Sequence, residues 1–378
     1  MPPSGVLLTG GTGFVGAQLL ARYLERTDVT VYALVRAEDR DSGETRLLDK
    51  LSALIEPGDV RARLVAVPGD VEKPGLGLSA RDRDELAGEV AQVVHAAASV
   101  SFELPLEESR RINVGGTRNV VDFALRCERL ERFAYISTAY VAGDHEAEFA
   151  EDDLCVGQRF RNPYERTKFE AEKLVRSHSH ELPVQIFRPS IVVGEATSGW
   201  TDSFNVLYTP LRAFARGHMP LVPARQQSPV DVVPVDYVAD AVFELTRRPV
   251  ERMETYHLVA GPEATTVEEI VGLASKHLER SVPLVVPPPL YRRLIHPVML
   301  WRSEDRRERA LRRLEAFFPY FSMRVRYRNE RTRRLLEPKG IAVSPFRTYF
   351  ARLIDFAEQA DWGRRRLSRW DVRAPAPV

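Results

Sequence analysis

The sequence predicts an α/β fold built on a doubly wound parallel sheet, with a smaller C-terminal region appended. Three observations carry that expectation. In the first 260 residues, short apolar runs alternate with stretches of helical spacing, and strands separated by helices form a parallel sheet covered on both faces. A glycine-rich turn, TGGTGFVG at residues 9–16, follows the first apolar run and leads straight into a helical pattern. From about Gly194 the rhythm loosens, and the last quarter of the chain turns basic.

The strand candidates are Gly5–Leu8, Val29–Leu34, Arg63–Pro68, Gln92–Ala96, Arg132–Ser137 and Pro183–Phe187. Helical spacing marks Phe14–Glu25, Arg110–Cys127 and Pro163–Ser177 between them. Residues 195–230 are rich in Thr, Ser, Pro and Trp and read as a lid on the substrate side. VDVVPVDYVADAVFEL (230–245) resumes a strand and a helix, and TYHLVAG (255–261) gives another strand. Thr266–Glu269 has capping-box spacing before a helix. The expected division is a nucleotide-binding domain over 1–193 that returns through 230–261, a lid over 194–229, and a helical, basic substrate region over 262–378. The proline run VPLVVPPPLYRR (282–293) reads as a boundary. Beyond it, Ser303–Phe317 has helical spacing with a basic face. LYRRLIHPVMLW (290–301) reads as a helix packed on the main domain or as a membrane- or acyl-contacting surface.

With 378 residues, 44% of them hydrophobic, the chain can bury one large core and an appendage. MPPSGVLLTGG lacks the basic n-region of a signal peptide, and no apolar run approaches the roughly 20 residues a membrane helix needs. Cys127 and Cys155 alone make no disulfide framework, which fits a reduced, cytoplasmic setting. The net charge of +1 hides an asymmetry. Residues 281–378 hold 22 basic and 10 acidic residues, so the first 280 carry −11. The basic quarter reads as a solvated arginine-rich surface, a site for a polyanionic substrate, or a peripheral contact with an anionic membrane. No nucleic-acid motif accompanies it.

In the glycine turn, Gly10, Gly13 and Gly16 are spaced three apart. A tight turn needs positive φ, the backbone must approach a pyrophosphate closely, and the helix start supplies N–H groups and a dipole. The strand–turn–helix context makes this a dinucleotide site on a Rossmann-type sheet. An NAD enzyme usually ends its second strand on an acid that holds the ribose 2′-hydroxyl. Here the strand runs into Arg36, suited to a 2′-phosphate, so the expected cofactor is NADPH. Glu38 and Asp39 follow closely. Arg46 reads as a second phosphate contact or a solvated helix residue. Asp70 and Val71 of PGDV border the adenine or form a plain turn.

Only six lysines stand against forty-eight arginines, yet Lys168 lies one helical turn beyond Tyr164 in NPYERTKFEAEKLV. A lysine beside a tyrosine favours phenolate and lowers the tyrosine pKa, making it a workable acid or base. Ser137 and Thr138, at the end of the strand in FAYISTAYVAG, offer a hydroxyl to hold a substrate carbonyl there. Asn113 sits on the preceding helix, in RINVGGTRNV.

With these parts in this order, the chain resembles the extended short-chain dehydrogenase/reductase family from Gly5 to about Gly261. The matching stretches include TGGTGFVG, PGDV, HAAA (95–98), INVGGT (112–117), ISTAYVAG (136–143), YERTK (164–168), RPSIVVG (188–194) and VPVDYVADA (233–241). Within the family the closer likeness is to thioester reductases: fatty acyl-CoA reductases and the terminal reductase domains of carboxylic acid reductases and peptide synthetases. GDVEKPGLGLS (69–79), HAAASVSFELPLEESRRINVGGT (95–117) and GEATSGWTDSFN (194–205) carry that likeness, with a looser echo in FFPYFSMRVRYRNERTRRLLE (317–337).

The resemblance implies Thr138, Tyr164 and Lys168 as the catalytic set, with Asn113 either completing it or serving structurally. It implies cofactor contacts at Gly10, Thr12, Gly13, Phe14, Val15 and Gly16, at Asp70, Val71, Ala97 and Ala98, and at Lys168, Pro189 and Ser190. The implied reaction is hydride transfer from NADPH to the carbonyl of an acyl-CoA or acyl carrier protein thioester, giving an aldehyde and with a second hydride an alcohol. The implied assembly is a monomer or homodimer. Rival readings are a relative acting on a sugar nucleotide, sterol or other carbonyl, and a non-catalytic NADP sensor. His178 and His180 read as an exposed helix end, and neither cysteine has a nucleophile's setting.

Overall fold

The computed structural model describes residues 5–56, 59–204, 206–250, 253–291, 293 and 318–372. Its centre is a sheet whose strands are almost wholly buried, as strands covered on both faces must be. Through residue 177 the order is β1 (Gly5–Thr9), α1 (Phe14–Arg26), β2 (Val31–Val35), α2 (Arg40–Ser52), β3 (Leu64–Pro68), α3 (Ala80–Glu89), β4 (Val90–His95), α4 (Leu106–Arg110), α5 (Gly116–Ala124), β5 (Arg132–Ile136), β6 (Glu148–Phe149) and α6 (Pro163–Ser177). Then come β7 (Val184–Pro189), β8 (Ile191–Val193), α7 (Tyr208–Ala215), β9 (Leu221–Pro223), β10 (Pro229–Val230), β11 (Val232–Pro234), α8 (Val235–Thr246), β12 (Met253–Leu258), β13 (Thr265–Thr266), α9 (Val267–His277), β14 (Leu284–Val286), β15 (Arg326–Tyr327), α10 (Glu330–Leu336) and α11 (Phe346–Gln359).

Seven strands pair in parallel in the order β3-β2-β1-β4-β5-β7-β12. The order reverses between β1 and β4, and a doubly wound sheet binds its ligands at the carboxyl ends of the strands beside that point. Side chains of α1, α2 and α8 pack on one face of the sheet, those of α3, α5 and α6 on the other. A second apolar core joins residues after β5 to α7, α9, α11 and residues 320–327. It holds Leu207, Tyr208 and Leu211 of the stretch expected to be a lid.

Several expectations are corrected in detail. The helix expected at Arg110–Cys127 starts at Leu106, is interrupted by a π turn at Arg111–Gly115, and ends at Ala124. The expected capping box is half formed. Thr266 accepts the Glu269 N–H at 3.2 Å, but the Glu269 carboxylate takes the Thr265 hydroxyl at 2.6 Å instead of the Thr266 backbone N–H. The basic helix expected at Ser303–Phe317 and most of the apolar stretch at Leu290–Trp301 lie outside the described residues.

A buried polar network ties the elements around the site. Arg188 on β7 and Glu172 on α6 are both 0% exposed and pair at 2.7 Å. Ser137, at the end of β5, donates to the same carboxylate at 2.6 Å. Burial pushes the Glu172 pKa up, but Arg188, Arg176 and Ser137 outweigh it and hold it near 2. Arg188 also donates at 2.9 Å to Nε2 of His257 on β12, whose Nδ1 lies 2.6 Å from the Arg328 carbonyl. One ring nitrogen must accept and the other must donate, so His257 is neutral. Its pKa is held near 3, chiefly by burial and then by the Arg188 charge. Glu151 caps the start of α10, accepting from the Arg331 and Thr332 N–H groups at 2.8 and 3.1 Å.

These shifts set an acid limit to stability. The unfolded chain takes up a histidine proton near pH 6.5, while the folded chain refuses it until about pH 3. The contribution of His257 is therefore complete above pH 6.5 and is lost as pH falls from there toward 3. His95, also buried and held near 3, acts in the same window, and Glu172 adds loss only below about pH 4.5. The urea midpoint is expected to fall between about pH 7 and pH 5, and to fall less steeply in His257→Gln. An unchanged slope in that variant would remove His257 as a source.

Candidate active site

β1 ends at buried Thr9, whose hydroxyl meets His95 Nδ1 at 2.8 Å and accepts the Ala97 N–H at 3.3 Å. The turn that follows needs its glycines. Gly10 has φ +77°, and a Cβ there would lie 2.7 Å from the Ala96 and Ala97 backbone. A Cβ on Gly16 would lie 2.1 Å from the Gly10 carbonyl oxygen. Gly13 precedes α1 without a side-chain cap, and the first turn carries no acid. The leading N–H groups of α1 are thus left for an anion, with the helix dipole behind them. Thr12, Phe14 and Val15 flank this cradle half-buried, and the Phe14 ring packs 6.4 Å from that of Trp200. The close backbone approach that a Cβ would block fits a bound pyrophosphate.

Arg36 follows β2 with its side chain 69% exposed and 4.0 Å from Glu72. Arg46, on α2, donates to the Arg36 carbonyl at 3.0 Å. Asp39 is committed elsewhere: it accepts the Ser42 N–H at 2.8 Å as the cap of α2. Asp70 accepts the Glu72 N–H at 3.0 Å, the bond of a plain turn acid. Val71 lies against the start of α5 at Gly116, and its carbonyl takes the Asn119 side chain at 2.7 Å.

At the reaction centre, Asn162 caps α6 by accepting the Glu165 N–H at 2.9 Å, and Pro163 occupies the first turn. Tyr164 and Lys168 follow one turn apart. The Thr138 hydroxyl lies beside that of Tyr164, favouring its ionised form. Thr138 in turn caps the short turn after β5, accepting the Tyr140 N–H at 3.3 Å, and donates to the Pro189 carbonyl at 3.4 Å. Ser137 is turned away into the Glu172 network, so of the two hydroxyls only that of Thr138 meets the tyrosine. Ala97 and Ala98 lie half-buried after β4, and Ser190 is buried after β7.

The expected lowering of the tyrosine pKa does not occur. Lys168 donates to the Ile136 carbonyl at 2.8 Å and lies 4.3 Å over the Tyr135 ring. Burial pulls Lys168 down to about 7, against a restoring pull from Glu172. Burial pushes Tyr164 up to about 12 despite its bond to Thr138. Desolvation exceeds the charge effect, and at neutral pH Tyr164 is a hydrogen-bond donor. Asn113 sits in the π turn, holding Ser99 through its N–H at 2.8 Å and its carbonyl at 3.1 Å, and donating to Thr167 at 3.0 Å. Those bonds clasp the loop after β4 onto α6.

Sequence reasoning missed the roof of the site. Phe102 lies 5.7 Å from the Tyr164 ring and stacks on Tyr320 at 5.4 Å, and Tyr320 meets Tyr140 edge-on at 4.9 Å. Tyr320 donates to Glu165 at 2.7 Å and accepts from Asn162 at 2.7 Å. Glu165 is fully buried, its pKa raised by burial against the pull of Arg161. The aromatic cluster in FFPYFSMRVRY was the available signal, but nothing in its spacing says that it returns to α6. Cys127 is buried, Cys155 is exposed, and burial pushes the Cys127 thiol up to about 12, which makes it inert.

The sequence model of the NAD-binding male sterility protein family matches residues 8–242. A linear gramicidin synthase of Brevibacillus parabrevis is 29% identical over 274 residues, covering 70% of this chain and 5% of that protein. Fatty acyl-CoA reductase 1 of Homo sapiens is 30% identical over 272 residues, covering 62% of this chain and 53% of that protein. The chain thus spans about half or less of these relatives. Among solved structures, the terminal R domain from the myxalamid PKS-NRPS biosynthetic pathway superposes with a TM-score of 0.82 at 29% identity, covering 95% of this chain and 91% of that one. No helix among the described residues is long and apolar enough to cross a membrane.

The tightness of the glycine turn yields a direct test. Gly10→Ala is expected to weaken NADH and NADPH alike, by at least about tenfold, because the turn holds the part common to both. Calorimetric titration of each cofactor checks this, and undiminished binding would show that the turn is not the cradle.

Proposed function

The chain belongs to the NAD-binding male sterility protein family, and from that premise we propose that it is an NADPH-dependent reductase of acyl thioesters, carried on coenzyme A or on a carrier protein. The observation that supports this best is the Thr138–Tyr164 pair beside Pro189 at the carboxyl end of the sheet, on the side where the glycine turn opens. The proposal extends to a lid over 194–229 and a substrate region over 262–378. Leu207, Leu211, Phe214, Met219, Ile270 and Phe321 from those two stretches line one apolar crevice, a suitable wall for an acyl chain.

Bound NADPH supplies the hydride. Tyr164, protonated at neutral pH, donates to the thioester oxygen together with Thr138, and both bonds strengthen as negative charge grows there. Tyr164 then yields its proton to that oxygen, giving a hemithioacetal. Collapse breaks the carbon–sulfur bond and releases thiol and aldehyde. A second round on the aldehyde gives an alcohol. Lys168 would hold the cofactor ribose and stabilise the tyrosinate. Asn113 keeps the loop after β4 against α6, a positioning role. Phe102, Tyr140 and Tyr320 exclude water above the reacting carbon. Arg36, and Arg46 beside it, would hold the 2′-phosphate. A reductase needs a proton donor at rest, and a tyrosine near pKa 12 is one.

Two variants test these roles. Tyr164→Phe is expected to lower kcat on acyl-CoA by about 100-fold or more while NADPH binding stays intact. Activity close to wild type would sink the mechanism. Arg36→Ala is expected to raise the Kd for NADPH by about tenfold or more with little change for NADH. Equal loss for both would overturn the phosphate assignment. NADPH oxidation with a panel of acyl-CoAs and aldehydes separates thioester reduction from plain carbonyl reduction.

A further inference from the structure

Tyr164 lies in the first turn of α6, where the N–H groups have no carbonyl partner within the helix and the chain depends on caps for its position. In a capping box, the acid three residues after the cap reaches back to the N–H of the cap residue. Glu165 has that place after Asn162, but its carboxylate turns elsewhere. One oxygen accepts the Arg161 N–H at 3.0 Å, and the other accepts the Tyr320 hydroxyl at 2.7 Å. Asn162 closes a ring of hydrogen bonds: its Oδ1 accepts the Glu165 N–H at 2.9 Å, and its Nδ2 donates to the Tyr320 oxygen at 2.7 Å. A residue 155 positions away is thus part of the start of this helix.

The ring reaches the other parts of the reaction centre. Glu165 and Tyr320 are both buried, so water does not compete for the bond between them. Arg161 lies 5.9 Å over the Tyr320 ring and donates to the Gly143 carbonyl at 2.6 Å. Gly143 ends the short turn that Thr138 caps. The Tyr320 ring stacks on Phe102, which packs on Tyr164. The turn that presents Thr138, the turn that presents Tyr164 and the aromatic roof therefore meet at one buried carboxylate.

We propose that Glu165 and Tyr320 are positioning residues for the reaction, their hydrogen bond fixing the first turn of α6 so that the Tyr164 hydroxyl stays beside Thr138 and the substrate oxygen. The inference rests on the reading of Tyr164 as the proton donor. The Tyr320 hydroxyl and the Glu165 carboxylate are committed to each other and to their neighbours, so they act through Tyr164 and not on the substrate. The Tyr320 ring screens the site from water with or without its hydroxyl, whereas only the hydroxyl sets the turn. A buried charge is costly beside apolar packing of the same volume, and the single geometry it imposes accounts for one here. Displacing a catalytic group by about 1 Å costs on the order of 100-fold in rate.

Steady-state kinetics of the full chain, with NADPH and the acyl-CoA or aldehyde that the wild type turns over fastest, test this. Tyr320→Phe keeps the ring and removes the hydroxyl. It is expected to lower kcat by about 10- to 100-fold, with the substrate KM and the Kd for NADPH within about twofold of wild type. Glu165→Gln offers one oxygen where two are needed, and kcat is expected to fall there too. The deciding measurement is the double variant Tyr164→Phe/Tyr320→Phe. A residue that acts by placing the Tyr164 hydroxyl has nothing left to place, so kcat is expected to match that of Tyr164→Phe within about twofold. Glu165→Gln combined with Tyr164→Phe gives a second cycle with the same expectation. Wild-type kcat in Tyr320→Phe, a weakened hold on NADPH in that variant, or losses that multiply in the double variants each overturn the proposal. Near wild-type kcat in Tyr164→Phe alone overturns the catalytic reading, and the proposal with it.

Discussion

The ion pair between Glu172 and Arg188, sealed from water, is the constraint on which the site depends. Two charges in the interior are tolerated only when their hydrogen-bonding capacity is met, and removing one partner costs about 3–5 kcal/mol. Here the capacity is met by groups from four directions: Arg176 on α6, Ser137 at the end of β5, His257 on β12, and the Asp153 carbonyl at 2.6 Å in the loop before α6. α6 thereby acquires one registry against the sheet. Glu172 lies one turn beyond Lys168 and two beyond Tyr164, so fixing it fixes both. Through Ser137 it also fixes the strand end that presents Thr138.

The same helix explains why burial governs the protonation states. Lys168 and Tyr164 sit on its inward face, where a charge loses solvation and gains little in return. The lysine is pulled toward neutrality and the tyrosine away from ionising. Burial on α6 thus leaves Tyr164 protonated at rest, able to donate to an oxygen placed beside it.

Much of this was legible in the sequence. β1, its turn and α1 are local: apolar run, glycines at fixed spacing, helical pattern, each following the last in the chain. The Tyr164–Lys168 spacing needs only a helix, and α6 begins and ends where Asn162–Pro163 and the following His–Ser–His stretch say it should. What could not be read were consequences of burial and long-range return. Ser137 and Thr138 are neighbours with similar chemistry, and only packing against Glu172 separates their roles. Spacing says that Lys168 is near Tyr164, but not that its proton points at the Ile136 carbonyl. Tyr320 reaches Glu165 across 155 positions, a distance no periodic pattern encodes.

The C-terminal third shows what that long-range return achieves. One part brings Tyr320 over the reaction centre, stacked on Phe102. Another carries residues 363–369 back to the glycine turn, bonded to Ala53, Leu54, Glu195 and Trp200. A parallel sheet alone offers strand ends and loops on one edge, open to water on the far side. Closing that edge needs chain from elsewhere, and here a single stretch serves both ends of the crevice. Exposed Arg365 and Arg366 share one cleft with Thr12 of the glycine turn, while Tyr320 adds its ring to the apolar surroundings of Tyr164, where a hydrogen-bond donor is shielded from solvent and acts more strongly.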